Sequence, residues 1–234
     1  SSELSIFQIT SSGVWTSFGT ISNNVWQRVV ITVSGTTAIC YINGVQLGTT
    51  KTLPQSVDWS NAANVRIGSM YDGTASGFYD GELSDFQIYN ATWTQADVTF
   101  DYNNPQHLVT DNSASSIALS NLKGYWHLSE GAGAINYDSS GESNNGTING
   151  ATWSLRQATI PQLGLMDWSK PTIGSDVVTL ISDPNDPSKD ILDNDVRLRE
   201  HSLNLDGSGY AKVDSDSSLD IANYSIDGWF YSTN

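Results

Sequence analysis

Cysteine is almost absent from the 234-residue sequence: Cys40 is the one example, so no disulfide can form within the chain. This excludes the small extracellular modules that disulfides hold together. Basic residues are also scarce, since 10 Lys and Arg stand against 25 Asp and Glu, and the net charge is −15 at pH 7. Nucleic acids and anionic membrane surfaces both select basic proteins, so neither is an expected partner. No hydrophobic run reaches the length of a membrane span, and we expect no membrane insertion.

Glutamate is rare among the acidic residues, with 5 Glu against 20 Asp. Asp favours turns and calcium ligation whereas Glu favours helices, so the excess of Asp indicates many loops. No amphipathic helices separate the apolar segments, which excludes a doubly wound α/β fold. Residues 95–102, which follow the capping residue Thr94, are predicted to form one short helical turn.

Aromatic, β-branched and turn residues are plentiful and indicate an all-β protein. Trp26 to Val33 is a strong β run, and the pair Asn43-Gly44 between apolar residues predicts a hairpin. Short strands at regular spacing predict an antiparallel β-sandwich of the jelly-roll type. The other predicted strands are 4–9, 14–21, 64–70, 78–89, 122–128 and several between 202 and 231.

Several motifs resemble, in combination, the laminin-G-like, concanavalin A-like jelly-roll superfamily. Members often open with a Gly-Tyr-Trp-x-Leu-x-Glu-Gly-x-Gly segment, which is found here from Gly124 to Gly133. The resemblance covers about 1–100 and 122–234, apart from 154–200, and implies a jelly-roll fold. The other matching segments are the turn 138–141, Leu205 to Tyr210, 225–231, the Trp26 strand, the Tyr41 to Gly44 hairpin and Gly81 to Asn90.

The order of these motifs is rotated relative to the superfamily. Residues 1–102 resemble the C-terminal half of a jelly roll, 103–121 read as a polar linker, and 122–234 resemble the N-terminal half. Two interpretations remain open: a window cut from a tandem array, or one circularly permuted domain. The tandem window is the preferred interpretation, although each half alone would leave open sheet edges. Halves of neighbouring chains could also complete one another by swapping.

Residues 154–200 are predicted to be an insertion of irregular structure, because they contain four of the six prolines and no clear periodicity. The acidic run 183–195 within it lacks the spacing of an EF-hand loop, and we interpret it as a solvated loop.

The resemblance also implies a structural calcium ion, because jelly rolls of this class often hold Ca²⁺ where the first and last strands pair. The expected ligands are Asp138 in its Asp-Ser-Ser-Gly turn, Asp85 on the last strand and the amide oxygen of Asn144. Backbone carbonyls must complete the shell, since Ca²⁺ takes six to eight oxygens. Asp138 could instead cap its own turn.

A glycan site needs an aromatic platform and polar loop groups. The candidates in or beside loops are Trp59, Tyr71, Asp72, Tyr79 and Trp93, whereas Trp26, Trp126 and Trp229 are predicted core residues. Each loop aromatic could equally seal the rim of the sandwich.

No catalytic residue is predicted. Glucanases of the same superfamily carry Glu-x-Asp-x-x-Glu on one strand, and none of the five Glu residues stands at that spacing. Glu82 and Asp85 are three apart, so on a regular strand they face opposite sides. Cys40 is interpreted as a buried structural thiol, and the three His show no metal spacing.

We therefore expect a non-enzymatic structural or adhesion protein that recognises glycan or protein on a surface, with neighbouring copies in an assembly. Its expected location is extracellular or in a virion, because 101–112 and 160–170 are similar to stretches of structural and adhesion proteins of marine bacteriophages. The alternative is an accessory carbohydrate-binding module of a secreted glycoside hydrolase. A sandwich enzyme with an unrecognised site is the third hypothesis.

Overall fold

The computed structural model of the chain describes residues 2–8, 13–57, 59, 64–71, 75–105, 107–155, 181–182, 190–191 and 201–233. These residues form antiparallel strands and one helix, as the composition predicts. The strands of the first half are β1 (Ser2–Gln8), β2 (Val14–Ile21), β3 (Trp26–Ser34), β4 (Thr37–Ile42), β5 (Val45–Gln46), β6 (Lys51–Thr52), β7 (Asn64–Ile67), β8 (Met70–Tyr71), β9 (Ala75–Ser76) and β10 (Asp80–Tyr89).

The helix α1 (Gln95–Asn103) confirms the predicted helical turn. Short 3-10 turns follow at Val109–Asp111, Leu119–Asn121 and Ser217–Leu219. The strands of the second half are β11 (Leu122–Trp126), β12 (Ile135–Asn136), β13 (Gly146–Asn149), β14 (Thr152–Leu155), β15 (Ile181–Ser182), β16 (Asp190–Ile191), β17 (His201–Asp206), β18 (Tyr210–Asp214) and β19 (Tyr224–Ser232).

Local chemistry explains the predicted hairpin between β4 and β5. Asn43 and Gly44 have φ of 50° and 82°, the two positive values that a type I′ turn requires. Ile42 pairs with Val45 across the turn, and the hairpin prediction is confirmed.

Two antiparallel sheets carry the sandwich. The larger sheet has the order β14-β17-β10-β19-β3-β4-β5, with β11 also paired to β10 and β6 to β4. The smaller sheet has the order β12-β13-β18-β7. β1 and β2 pair with each other as a separate two-stranded sheet. Leu4, Ile6 and Phe18 of this hairpin pack on the core. The architecture confirms the predicted all-β fold class.

The two halves of the chain interleave in both sheets. The first-half strand β10 lies between β17 and β19 and also pairs with β11, all from the second half. β19 continues the sheet into β3, and in the smaller sheet β7 pairs with β18. Within the described residues, each half therefore depends on the other to complete both sheets.

The main core lies between the sheets and draws on both halves. Alternation along β3 sends Val29 and Val33 into this core and turns Trp26, Arg28 and Val30 to the outer face of the larger sheet. Fully or nearly fully buried members of the core are Ala38, Cys40, Leu53, Ile67, Leu83, Ile88, Trp126, Leu128, Leu203, Leu205, Ala211 and Val213.

A second apolar cluster lies on the outer face of the larger sheet, beneath α1 and the 103–121 segment. Val98 of α1 and Val109 and Ile117 of the segment are buried there against Tyr89 and Tyr125. Residues 103–121, expected to be a polar linker, thus contribute two 3-10 turns, and two of their side chains are buried in this cluster. The polar side chains of Asp111 and Asn121 cap these turns. Because capping residues are also common in loops, the composition of the segment predicted a linker.

The predicted insertion 154–200 lies outside the described residues except for 154–155, 181–182 and 190–191. β15 and β16 in it pair with each other, Ile181 opposite Ile191.

The interleaving predicts one cooperative unfolding unit. Leu83 and Leu203 come from different halves, are cross-strand partners and are 2% and 0% exposed. Leu83→Ala and Leu203→Ala should each lower the free energy of unfolding by about 2–5 kcal/mol. Urea unfolding followed by tryptophan fluorescence and by circular dichroism should give coincident transitions for both variants.

Val45→Ala is the matched control, because Val45 is 70% exposed and should change stability by less than about 0.5 kcal/mol. Two separate transitions, each moved by only one of the leucine variants, would show that the halves fold independently.

Candidate functional site

Three of the expected glycan-binding aromatics pack onto the sandwich. Trp59 is half-buried with its ring 5.2 Å from that of Tyr224, and Tyr79 meets Phe230 edge to face at 6.0 Å. Trp93 is 2% exposed and packs on Tyr89 with ring centroids 4.9 Å apart. The expectation that Trp93 offers a loop platform is corrected here, because its ring belongs to the apolar cluster on the outer face.

The remaining two expected ligand residues lie at a short hairpin. Tyr71 ends β8 and pairs through its backbone with Ala75 of β9. Its side chain and the whole of Asp72 lie outside the described residues. Trp93 packs beneath α1, whereas Trp59 and Tyr79 pack against the main core, so these three do not form one site.

The expected calcium ligands occupy two separate places. Asp85 and Asp138 contact opposite ends of Tyr125: its phenol donates to Asp85 Oδ1 at 2.8 Å, and its backbone N–H donates to Asp138 Oδ1 at 2.9 Å. Asn144 lies with Asp138, because its backbone N–H donates to Asp138 Oδ2 at 2.8 Å. The structure therefore brings Asp138 and Asn144 together and leaves Asp85 apart from them.

The Asp138 carboxylate is fully hydrogen-bonded. Besides Tyr125 and Asn144, it accepts from the Ser140 N–H at 2.9 Å and the Ser140 hydroxyl at 2.8 Å. Four donors fill the four lone-pair directions of a carboxylate. The three expected ligands do not fit a calcium ion in this geometry, and calcium binding stays a prediction. The described residues hold no group of three or more His, Cys, Asp or Glu that could bind a metal ion.

Asp85 belongs to a buried ion cluster that the sequence did not indicate. Its Oδ2 lies 2.7 Å from Nη1 of Arg28. Asp101 of α1 binds the same guanidinium in two places, with Nε at 2.8 Å and Nη2 at 3.0 Å. Asp227 of β19 places Oδ1 2.6 Å from Nη2. We call Arg28, Asp85, Asp101 and Asp227 the Arg28 cluster; its members are 0–2% exposed.

Burial controls the protonation of the cluster. Removal from water raises the pKa of Asp85 to about 6, although Arg28 and the Tyr125 hydrogen bond act in the opposite direction. Burial likewise raises the pKa of Asp101 and of Asp227. The three carboxylates raise the pKa of Arg28, so its guanidinium remains charged.

A bulge in β10 brings Asp85 to this cluster. The β10–β19 register shifts between Ser84 and Gln87, and Asp85 has φ of 57°. The expectation that Glu82 and Asp85 face opposite sides was wrong for this reason: the bulge places both on the outer face of the larger sheet. A charged residue within a strongly apolar strand, as Arg28 is between Trp26 and Val29, was the available signal for the cluster.

The part of the outer face beyond α1 carries a row of polar side chains. Cross-strand pairing sets Thr152 beside Asn204, Asn204 beside Glu82 and Glu82 beside Tyr231. Tyr231 in turn pairs with Trp26, with ring centroids 5.7 Å apart. We call Thr152, Asn204, Glu82 and Tyr231 the Glu82 row; each is half-buried or exposed.

The Glu82 row combines groups that recognise hydroxylated ligands. The Glu82 carboxylate accepts a short hydrogen bond from the buried Ser202 hydroxyl, which fixes its orientation. The Asn204 amide donates to Thr152 Oγ1 at 3.4 Å. A carboxylate, an amide, a hydroxyl and an aromatic ring on four adjacent strands can accept, donate and stack on one ligand.

Comparison with known proteins gives one match. Residues 3–99 match the laminin-G-type family model described as Concanavalin A-like lectin/glucanases superfamily. The match spans β1 to the middle of α1 and ends before β11. Searches of the curated proteins and of the solved structures found no match. In the part of the chain that the structure describes, no helix is long and apolar enough to cross a membrane.

The four hydrogen bonds to the Asp138 carboxylate predict that the turn at residues 138–141 is stable without a bound metal ion. Asp138→Ala removes four hydrogen bonds and should lower the free energy of unfolding by about 2 kcal/mol, equally with calcium and with EDTA. Asp214→Ala is the control, because the Asp214 side chain is 87% exposed. A wild-type melting temperature raised by calcium, with no rise in Asp138→Ala, would instead support the calcium site expected from the sequence.

Removal of Arg28 should lower the free energy of unfolding more than removal of a charged residue at a partly exposed site. Arg28→Met leaves three buried carboxyls without their cation and should lower the free energy of unfolding by about 3–5 kcal/mol. Lys123→Met is the matched control: Lys123 pairs with Glu142 at a partly exposed site, where such pairs contribute about 0–1 kcal/mol. Equal losses in the two variants, measured by urea unfolding, would contradict this ranking.

Proposed function

We propose, on the match of residues 3–99 to the concanavalin A-like lectin/glucanase superfamily, a non-enzymatic module that binds glycan or protein on a surface. Domains of this superfamily bind carbohydrates or proteins. The observation that supports a glycan ligand most strongly is the Glu82 row, because its groups lie side by side on rigid strands and remain accessible.

The carboxylates of the outer face favour binding over hydrolysis. Retaining and inverting glycosidases both need two carboxyl groups that flank the substrate bond. Asp85, Asp101 and Asp227 lie close together, but they are buried and bound to Arg28, so a substrate cannot reach them. Glu82 is accessible and is held by the Ser202 hydroxyl. These contacts support a ligand-binding role, and not a catalytic one, for the Glu82 row.

The finer proposal is a place on the surface of a bacteriophage particle, in a tail, fibre or surface decoration, with neighbouring copies in the assembly. It rests on the similarity of 101–112 and 160–170 to structural and adhesion proteins of marine bacteriophages. Detection of the chain by mass spectrometry in purified particles would support this location. Glycan binding by a chain attached to a secreted hydrolase would support the alternative, an accessory carbohydrate-binding module.

The Glu82 row predicts which substitutions weaken ligand binding. On a glycan array, the wild-type chain should bind a defined subset of glycans. Glu82→Gln should weaken binding of the best glycan by roughly 10- to 100-fold, since a hydrogen bond to a charged group contributes about 1.5–3 kcal/mol. Isothermal titration calorimetry measures the change, and a reducing-end assay on the same glycans should show no hydrolysis.

Glu142→Gln is the matched control, because Glu142 binds Lys123 away from the row and its loss should leave affinity unchanged. Tyr71→Ala tests the hairpin that the sequence singled out. Loss of binding in Tyr71→Ala with full binding in Glu82→Gln would move the site to that hairpin and contradict the row.

A further inference from the structure

We propose that the Arg28 cluster is a buried proton-binding site, which holds one proton shared between Asp101 and Asp227 at neutral pH and links that proton to the docking of α1. The inference is independent of the ligand-binding proposal, because it concerns the closed part of the outer face.

The charge count of the cluster is the first observation. Three carboxyl groups surround one guanidinium, with N–O distances of 2.6–3.0 Å, and all four side chains are 0–2% exposed. Full ionisation would leave an excess of two negative charges in a region without water contact. Such an excess is costly, and a buried carboxyl group neutralises itself by taking up a proton.

The second observation is an unpartnered oxygen. Oδ2 of Asp227 is buried and has no hydrogen-bond donor among the described residues, and Oδ1 has Arg28 as its ion-pair partner. A buried carboxylate oxygen without a donor loses its hydration and gains nothing in return. A proton on this carboxyl group removes that cost, and burial raises the pKa of both Asp101 and Asp227.

The third observation is the division of the cluster between two elements. Arg28, Asp85 and Asp227 stand on sheet strands and carry one more negative than positive charge when ionised. Asp101 stands on α1 and adds its own negative charge. A proton on Asp227 or Asp101 therefore removes the net repulsion between α1 and the sheet, and with the proton on Asp227 the Asp101 carboxylate retains its two contacts with Arg28.

Other polar groups face the cluster from β10 itself and from β11. The Tyr125 phenol donates to Asp85, Gln87 donates to Asp85 Oδ2 at 3.4 Å, and the Tyr89 hydroxyl donates to Gln87 Oε1 at 2.7 Å. His127 stacks on Tyr125 with ring centroids 4.2 Å apart. His127 is the nearby group whose titration must be separated from that of the carboxyls.

The sign of the pH effect follows from proton linkage. The folded cluster holds a proton at pH values where the unfolded Asp side chains, with an ordinary pKa of about 3.9, have lost theirs. Unfolding then releases the proton, so the unfolding equilibrium constant rises by up to about tenfold per pH unit above pH 4. Stability is greatest in mild acid and falls as the pH rises through 6 and beyond.

Urea unfolding of the whole chain between pH 4.5 and 8.5, in EDTA, tests the proposal. The wild type should show the rise in the unfolding constant. Asn at position 101 or 227 mimics a protonated carboxyl group. In Asp101→Asn and in Asp227→Asn, the number of protons released on unfolding, measured from the slope against pH, should therefore fall by about one. Asp214→Asn, at an exposed site, should keep the full slope. Amide exchange across α1, corrected for the intrinsic rate, should accelerate with pH in the wild type only.

Infrared spectroscopy of the intact wild type gives a readout that does not depend on a variant folding. A protonated carboxyl band at neutral pH, lost on unfolding, supports the proposal. No such band, a full slope in both Asn variants, or a slope that disappears in His127→Gln would each overturn it. A slope that appears only with added calcium would assign the excess charge to a metal ion and would also overturn it.

Discussion

Arg28 holds the larger sheet, the helix and both halves of the chain in one arrangement. Its guanidinium contacts β10 through Asp85, β19 through Asp227 and α1 through Asp101. β10, α1 and β3, the strand that carries Arg28, come from the first half of the chain, and β19 comes from the second. An ion cluster without water contact tolerates little displacement, since any group that moves leaves a buried charge unpaired. The position of α1 on the sheet is therefore set by charge as well as by the apolar contacts of Val98.

The outer face of the larger sheet divides into two regions with different properties. Under α1 and residues 103–121, the face is apolar and aromatic around the Arg28 cluster and is closed to solvent. Beyond them, from β19 across β10 and β17 to β14, it is polar and accessible. Tyr231, which follows Trp229 on β19 by two residues, lies at the boundary. The closed region makes the strands rigid, and the open region can use that rigidity to hold ligand groups in place.

Local features of the fold could be predicted from the sequence because their causes are local. Asn43-Gly44 determines its own turn, and Thr94 and Asp97 cap α1 through reciprocal hydrogen bonds. The pairing of β10 with β17 and β19 joins residues more than a hundred positions apart, and no short pattern encodes it. The burial of Trp93 depends on the packing of 103–121, which reads as a polar loop. The bulge at Asp85 places Glu82 and Asp85 on one face, and strict alternation predicted the opposite.

Both halves of one chain complete a single sandwich in this structure. A sample that mixes isotope-labelled and unlabelled chains separates contacts within a chain from contacts between chains. Isotope-filtered nuclear Overhauser spectra should show the β3–β19 contacts, such as Val30 with Asp227, only within labelled chains. The same contacts observed between labelled and unlabelled chains would show that neighbouring copies exchange halves, which would contradict the single-chain sandwich.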